Sequence, residues 1–232
     1  MALPQIEDTK IIKINLPSGK TATIRPFVGK EEKLLLTAKI SKEEELMMTA
    51  VMKVIENCVE EDISGLCTTD IEWILLQLRA ISVSPTVEPR FVCKHCGHET
   101  QTKISITDIP MPVIEEKTKK IEVGKDDKGN TVFIVFNLPT FSSVVKHKSQ
   151  EDSEMRVIFD CLEGIYVGEE EQSGFEYEEF SDWVLGVKGV YMEALLFIKN
   201  LPTLEFKRSY KCEKCGEENQ IHLKGLNDFF TL

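Results

Sequence analysis

The sequence predicts an α+β fold made of two duplicated halves, residues 1–110 and 111–232. Each half is expected to contain a β-hairpin, helices and a CxxCG turn. Three observations support this: two stretches of alternating apolar residues, several apolar stripes at helical spacing, and short motifs that recur in the same order. Ordered recurrence is the usual sign of an internal repeat.

The recurring motifs are short but keep their order. INLP at 14–17 is matched by FNLP at 136–139, NCVE at 57–60 by DCLE at 160–163, and PTVE at 85–88 by PTLE at 202–205. CxxCG then occurs at 93–97 and again at 212–216, each time with Glu two residues after the glycine. We interpret the pattern as a two-fold duplication.

Two hairpins are predicted, one near the start of each half. Residues 10–24 form a strand pattern interrupted by the turn Pro17-Ser18-Gly19. In the second half, apolar residues alternate on both sides of a turn at 126–130. Residues 109–120, which contain two prolines and then a charged run, are expected to connect the halves.

Helices are predicted from apolar stripes and capping signals. Ser41 with Glu44 has the spacing of a capping box before a stripe that runs to residue 59, and Thr69 with Glu72 has the same spacing before a second helix. Residues 180–198 predict one long helix, in which Gly186 and Gly189 lower stability or mark close approach to a neighbour.

The cysteines predict a metal site. Seven cysteines in a chain whose first residues lack the features of a signal peptide favour reduced thiols over disulfides. Four of them, Cys93, Cys96, Cys212 and Cys215, have the spacing of two zinc knuckles. Pairing the knuckles gives a four-thiolate shell, so we predict one structural Zn²⁺ per chain that joins the two halves.

Two alternatives to this site remain open, namely a zinc ion shared between chains of an oligomer and a redox-active CxxC pair. Closed four-thiolate sites leave no position for substrate, so the metal is expected to stabilise and not to catalyse. The remaining cysteines, Cys58, Cys67 and Cys161, lie on apolar faces and are expected to be buried thiols.

Charge and motif content exclude several classes of function. A net charge of -11 argues against nucleic acid as the main partner. No apolar run is long enough to span a membrane, and the acidic run at 169–179 is expected to be a solvated loop. There is no GxSxG, phosphate-binding glycine loop or HExxH motif, and the four histidines have no evident acidic partner in the sequence. The chain is therefore not expected to be an enzyme.

An ordered set of motifs resembles the T-even phage baseplate protein family. IRPF at 24–27 followed by KEEKLLL at 30–36 is similar to the opening motif of that family. DIEW at 70–73, LRAISV at 78–83 and the first knuckle match its next landmarks in order. The resemblance is clearest over residues 11–108. Arg25 is expected to be either an ion-pair partner of Glu31 or Glu32 or a solvated side chain.

The resemblance implies a protein-binding part of the baseplate hub of a contractile-tailed bacteriophage, or a chaperone needed to assemble it. The implied partners are other hub proteins, and the implied location is the host cytoplasm during assembly, with or without retention in the virion tail. A zinc-ribbon-like nucleic-acid-binding or regulatory protein is the alternative, supported by the knuckles alone. The C-terminal Phe229, Phe230 and Leu232 are expected to dock into a partner or to pack on the chain's own core.

Overall fold

The computed structural model describes residues 10–41 and 43–230 and contains both helices and small sheets, which confirms the α+β class. The chain forms two compact units. Unit 1 contains residues 1–63, 69–112 and 203–232, and unit 2 contains residues 64–68 and 113–202. No helix in the described part of the chain is both long and apolar enough to cross a membrane.

The first element of unit 1 in the described part of the chain is the predicted hairpin. Strands β1 (Ile12–Asn15) and β2 (Thr21–Ile24) pair antiparallel, with Ile12 opposite Ile24. The turn between them contains Gly19 at φ 83°, a backbone conformation that side chains with a Cβ rarely adopt. The sequence therefore placed both the strands and the turn correctly.

Three helices follow: α1 (Gly29–Ser41), α2 (Glu44–Cys58) and α3 (Thr68–Ser82). The predicted cap of α2 is wrong. Ser41 ends α1, where its hydroxyl donates to the carbonyl oxygen of Ala38, and Glu43 is the N-cap of α2. Because Ser and Asn also satisfy local backbone groups at helix ends, spacing alone did not distinguish an end from a start.

Two buried acidic residues of α3 fasten other parts of unit 1 to this helix. Asp70 is fully buried, and its Oδ1 accepts the backbone N–H of Ser18 in the first hairpin turn at 2.9 Å. Glu72 Oε2 accepts the backbone N–H of Leu204 at 3.0 Å. The second contact joins positions 132 residues apart, so α3 brings the end of the chain to its first part.

The rest of unit 1 consists of short strands and a terminal helix: β3 (Thr86–Val87), β4 (Arg90–Val92), β5 (Glu99–Gln101), β6 (Ile104–Ser105), β11 (Glu205–Lys211), β12 (Glu218–Lys224) and α8 (Gly225–Phe230). A 3₁₀ turn lies at Ile106–Asp108. Their inner faces form a common core with α3, to which Leu76, Ile104, Phe206 and Phe229 contribute. Burial of Phe229 supports packing of the C-terminus on the chain's own core, whereas the side chain of Phe230 and all of Leu232 lie outside the described part of the chain.

Unit 2 is built on an antiparallel sheet with strand order β10-β9-β8-β7. Its strands are β7 (Thr118–Lys125), β8 (Thr131–Asn137), β9 (Leu162–Val167) and β10 (Glu170–Gln172). Strands β7 and β8 form the predicted second hairpin. The acidic run at 169–179 is exposed for most of its length, but it includes β10 and is therefore not wholly a loop.

One face of this sheet packs against helices, namely α4 (Phe141–His147), α5 (Ser153–Asp160), α6 (Tyr177–Gly186) and α7 (Val190–Lys199). The single long helix predicted for 180–198 is wrong, because α6 ends at Gly186 and α7 begins after Gly189. Gly189 is the N-cap of α7 with φ 90°, and this left-handed conformation ends the helical path.

The boundaries of the compact units differ from those of the predicted halves. Both knuckles belong to unit 1, because residues 203–232 return to it, whereas the predicted boundary at residue 110 separates them. Each predicted half nevertheless begins with a hairpin, continues with helices and ends near a knuckle, although the second half also contains β9 and β10 between its helices. The duplication itself stays a prediction.

Candidate metal centre

Each CxxCG turn lies between two antiparallel strands of unit 1. The first connects β4 to β5, and the second connects β11 to β12. In both turns the first cysteine is buried and the second is exposed. The thiols therefore sit at the ends of two hairpins, in an arrangement set by the strands behind them.

The backbone of both turns follows the same pattern. Gly97 N–H donates to the Cys93 carbonyl, and Gly216 N–H donates to the Cys212 carbonyl, both at 2.9 Å. Gly97 and Gly216 have φ of 70° and 74°, which explains the glycine after each CxxC, since other residues are strained there. The first cysteine of each turn also donates its N–H across the turn, from Cys93 to the carbonyl of His98 and from Cys212 to the carbonyl of Glu217.

The four sulfur atoms form one cluster. All lie within 4.8 Å of one another. Cys93 Sγ is 3.7 Å from Cys215 Sγ, and Cys96 Sγ is 3.6 Å from Cys212 Sγ. With a Zn–S distance of about 2.3 Å, tetrahedral geometry requires sulfur–sulfur separations of about 3.8 Å. The cluster can hold a metal ion, and its four thiol donors and these two separations across the hairpins fit tetrahedral thiolate coordination.

The two hairpins are related residue by residue at one constant spacing, that between Cys93 and Cys212 (212 − 93 = 119). Val87 pairs with Ile104 in the first hairpin, and the corresponding Phe206 pairs with Leu223 in the second. Phe91 and Tyr210 also correspond, and their rings lie 6.0 Å apart. At this spacing Val87 corresponds to Phe206, two residues beyond the Leu204 that aligning PTVE with PTLE would give.

Contacts between the hairpins are reciprocal under the same correspondence. Lys94 N–H donates to Asn219 Oδ1 at 3.0 Å, and its counterpart Glu213 N–H donates to Thr100 Oγ1 at 3.5 Å. Asn219 and Thr100 are both buried. The centre is therefore locally two-fold symmetric, which supports the predicted duplication for this part of the chain.

Asn219 breaks that symmetry. Besides its bond to Lys94, its Nδ2 donates to Cys93 Sγ at 3.3 Å and to the carbonyl of Glu217 at 3.1 Å. Its side-chain amide thus joins the first cysteine of one knuckle to the backbone of the other. No motif singled out Asn219, and only its place four residues after Cys215 could have suggested it.

The environment lowers the pKa of two of the four thiols and raises that of a third. Burial acts to raise the pKa of Cys93, but hydrogen bonds from the backbone N–H groups of His95 and Cys96, from Asn219 and from Cys215 outweigh it and lower the pKa to about 6. Backbone hydrogen bonding at Cys215 likewise lowers the pKa of Cys212. At Cys215 a backbone hydrogen bond with Glu217 acts to lower the pKa, but burial and hydrogen bonds shared with the other three thiols raise it to about 12. Hydrogen bonds that lower a thiol pKa favour the thiolate, which is the form that binds metals.

His222 and the other three cysteines lie outside the sulfur cluster. His222 Nε2 is 2.7 Å from Glu205 Oε1, which also contacts Lys207 at 2.7 Å. Cys58, Cys67 and Cys161 are buried, as predicted, and burial raises the pKa of Cys161 to about 12.

The prediction that the histidines lack acidic partners is wrong. In unit 2, His147 is buried with its Nε2 at 3.0 Å from Asp160 Oδ2, and Ser143 Oγ donates to the same oxygen at 2.7 Å. The carboxylate stands at the centre, so the serine is not hydrogen-bonded to the histidine as a nucleophile would be to its base. The cluster joins α4 to α5, and a separation of 13 residues across a helix boundary hid it in the sequence.

The family model described as T4 bacteriophage base plate protein matches residues 9–231 of the chain. The chain belongs to this T4 base plate protein family. Searches of curated proteins and of solved structures find no match. The match spans both units and includes all four cysteines of the candidate metal centre, which confirms the resemblance and extends it well beyond residues 11–108.

The motifs that suggested the base plate family hold unit 1 together. Arg25 Nη2 lies 3.2 Å from Glu31 Oε1, which settles the choice of partner between Glu31 and Glu32. Glu31 Oε2 also accepts the N–H of Val28 at 2.9 Å, so Glu31 caps the start of α1. Asp70 and Glu72 of DIEW make the contacts to Ser18 and Leu204 described above.

Proposed function

We propose that this chain is a structural component or an assembly chaperone of the baseplate hub, without enzymatic activity, which works by binding other baseplate proteins. The observation that supports this most directly is the match to the base plate family over residues 9–231, and membership of that family supports a structural role in a phage baseplate.

We further propose that the four thiols bind one structural Zn²⁺. Cys93, Cys96, Cys212 and Cys215 would hold the ion, with all four ligands supplied by the chain, as in structural zinc sites. The ion would tie the two hairpins of unit 1 together. Metal binding and folding are coupled in such sites, since a preformed site rarely exists in the unfolded chain.

Nucleic-acid binding, the alternative raised by the knuckles, has less support. Two of the basic residues near the second knuckle have partners within the protein: Lys207 contacts Glu205, and Arg208 Nη1 donates to the carbonyl of Lys103 at 3.0 Å. Zinc modules that bind nucleic acid usually present a basic surface, and the net charge here is -11. The same part of the chain is therefore better suited to a structural role.

Affinity capture from infected cells tests the proposed function. The tagged chain is expected to recover other baseplate hub proteins, and the Cys93→Ser chain should recover less of them if unit 1 must be folded for binding. Quantifying the chain in purified virions then distinguishes a component, present in stoichiometric amounts, from a chaperone that is absent. Recovery of no baseplate protein by the folded chain would contradict the proposal.

A further inference from the structure

Helix α7 of unit 2 has more apolar side chains than the rest of unit 2 covers. Of its ten residues, only Glu193 and Lys199 are charged, and every other side chain is apolar or aromatic. Helices that are apolar on all sides are normally covered on all sides. Yet Met192 and Leu196, one turn apart, are 53% and 50% exposed.

A groove of about 460 Å³ runs beside this exposed stripe, and all of its residues belong to unit 2. Its apolar lining comes from two segments of the chain, with Leu196, Phe197, Leu201 and Pro202 in one and Val113 and Ile114 in the other. Val113 is 68% exposed. Exposed apolar surface that is continuous and bordered by polar residues is typical of protein-binding sites.

The border of the groove is negative. Glu115, Glu116 and Glu193 line it, and its one cation, Lys119, lies 3.7 Å from Glu116. Three carboxylates and one ammonium leave an excess of negative charge beside an apolar floor. A second copy of this chain is a poor occupant, because each copy carries a net charge of -11.

We propose that this groove binds an amphipathic helix of another protein, with apolar side chains on one face and lysine or arginine along its edges. Helix-in-groove recognition places side chains spaced by three or four residues in an apolar channel, and complementary charge at the rim fixes the orientation and speeds association. The proposal concerns a surface separate from the metal centre and does not depend on zinc.

A designed peptide tests the groove directly. The probe is an 18-residue helix with leucine on one face and lysine on the other, and its twin has glutamate in place of every lysine. Fluorescence anisotropy with the full chain should show binding of the lysine peptide and at least tenfold weaker binding of the glutamate twin. Equal binding of both peptides, or binding of neither, would overturn the proposal.

Matched variants separate the groove from the general charge of the protein. Leu196→Gln and the pair Glu115→Lys/Glu193→Lys should each weaken binding of the lysine peptide at least tenfold. The controls are Leu185→Gln, at a residue 63% exposed on α6, and Glu169→Lys/Glu170→Lys, which make the same changes outside the groove. Circular dichroism verifies that each variant is folded.

Two results would contradict the proposal that this groove binds a basic amphipathic helix. Equal losses in the control and groove variants would show that only the overall charge attracts the peptide. A wild-type dimer in light scattering that Leu196→Gln converts to a monomer would show that a second copy covers this face.

Discussion

At the scale of single residues, the two buried and two exposed cysteines are equivalent in pairs, and each thiol has a sulfur neighbour on the opposite hairpin. A tetrahedral site that loses one ligand loses its closed shell. Cys93→Ser and Cys212→Ser are each expected to abolish zinc binding, whereas Cys161→Ala, at a buried thiol of unit 2, should retain one zinc per chain. Plasma mass spectrometry of the purified proteins measures this, and two zinc ions in the wild type or retention in either serine variant would contradict the site.

Asn219 is expected to contribute more to zinc binding than Thr100, its counterpart in the other hairpin. It donates to Cys93 Sγ, and loss of a group that orients a metal ligand typically costs 10- to 100-fold in affinity. Asn219→Ala should therefore lose zinc to a chelator at least about tenfold faster than wild type. Thr100→Val is the matched control, with an expected effect several-fold smaller. If the wild type binds zinc and the two variants behave alike, the role given to Asn219 is wrong.

Glu31 gives a prediction about pH. Burial acts to raise its pKa, but hydrogen bonding to Val28 and the ion pair with Arg25 lower the pKa below its usual 4.5. A lowered pKa in the folded state adds stability above pH 4.5 that is lost as the pH falls through the folded value. Glu31→Gln should cost about 1–2 kcal/mol at pH 7, with partial exposure of Arg25 limiting the loss.

Urea unfolding of wild type and Glu31→Gln between pH 7 and pH 3 provides the measurement. The difference in unfolding free energy should shrink as the pH falls below 4.5. Glu32→Gln is the control, since Glu32 is exposed and next to Glu31 in the chain. A difference that does not change with pH would exclude ionised Glu31 as its source.

At the scale of elements, the break between α6 and α7 depends on Gly189. A Cβ there would meet nothing closer than Glu193 Oε1 at 4.0 Å, so only the φ of 90° opposes a side chain. Gly189→Ala should destabilise the protein by about 1–2 kcal/mol, the cost of the left-handed conformation. Gly186→Ala, at the last residue of α6 with open space around it, should be neutral or stabilise by up to about 1 kcal/mol. Thermal unfolding compares them, and equal effects would contradict this account.

The elements also show which local signals were sufficient. Hairpin turns were predictable because glycine and turn residues determine the backbone locally, as at Gly19. Helix ends were less predictable. Ser41 has the spacing of an N-cap but ends α1, and a single periodic pattern of apolar residues covers both α6 and α7. The spacing of apolar residues predicts which face of a helix is buried. It does not reveal a short break between two helices when the apolar residues keep the same spacing across it.

At the scale of the whole molecule, the two compact units predict a divided response to metal removal. Unit 1 has a core formed by α3 and the knuckle hairpins, and unit 2 has a separate core between its sheet and helices. Treatment with a chelator should reduce hydrogen-exchange protection in residues 86–105 and 204–224 by about tenfold or more, and leave residues 118–167 protected. Protection lost equally in both units, or unchanged in unit 1, would contradict a zinc ion that stabilises unit 1 alone.

The sequence by itself determined the α+β class, both hairpins, the four cysteines and the family resemblance. These depend on local spacing: both CxxCG turns bend the same way, because each sets two sulfurs and a left-handed glycine within five residues. It could not determine that residues 203–232 return to unit 1, since Glu72 and Leu204 are 132 positions apart. Only the tertiary structure decided that both knuckles share one core, that Asn219 contacts Cys93, and that α7 leaves an apolar face exposed. Those facts depend on which distant segments pack together, and packing is a property of the whole chain.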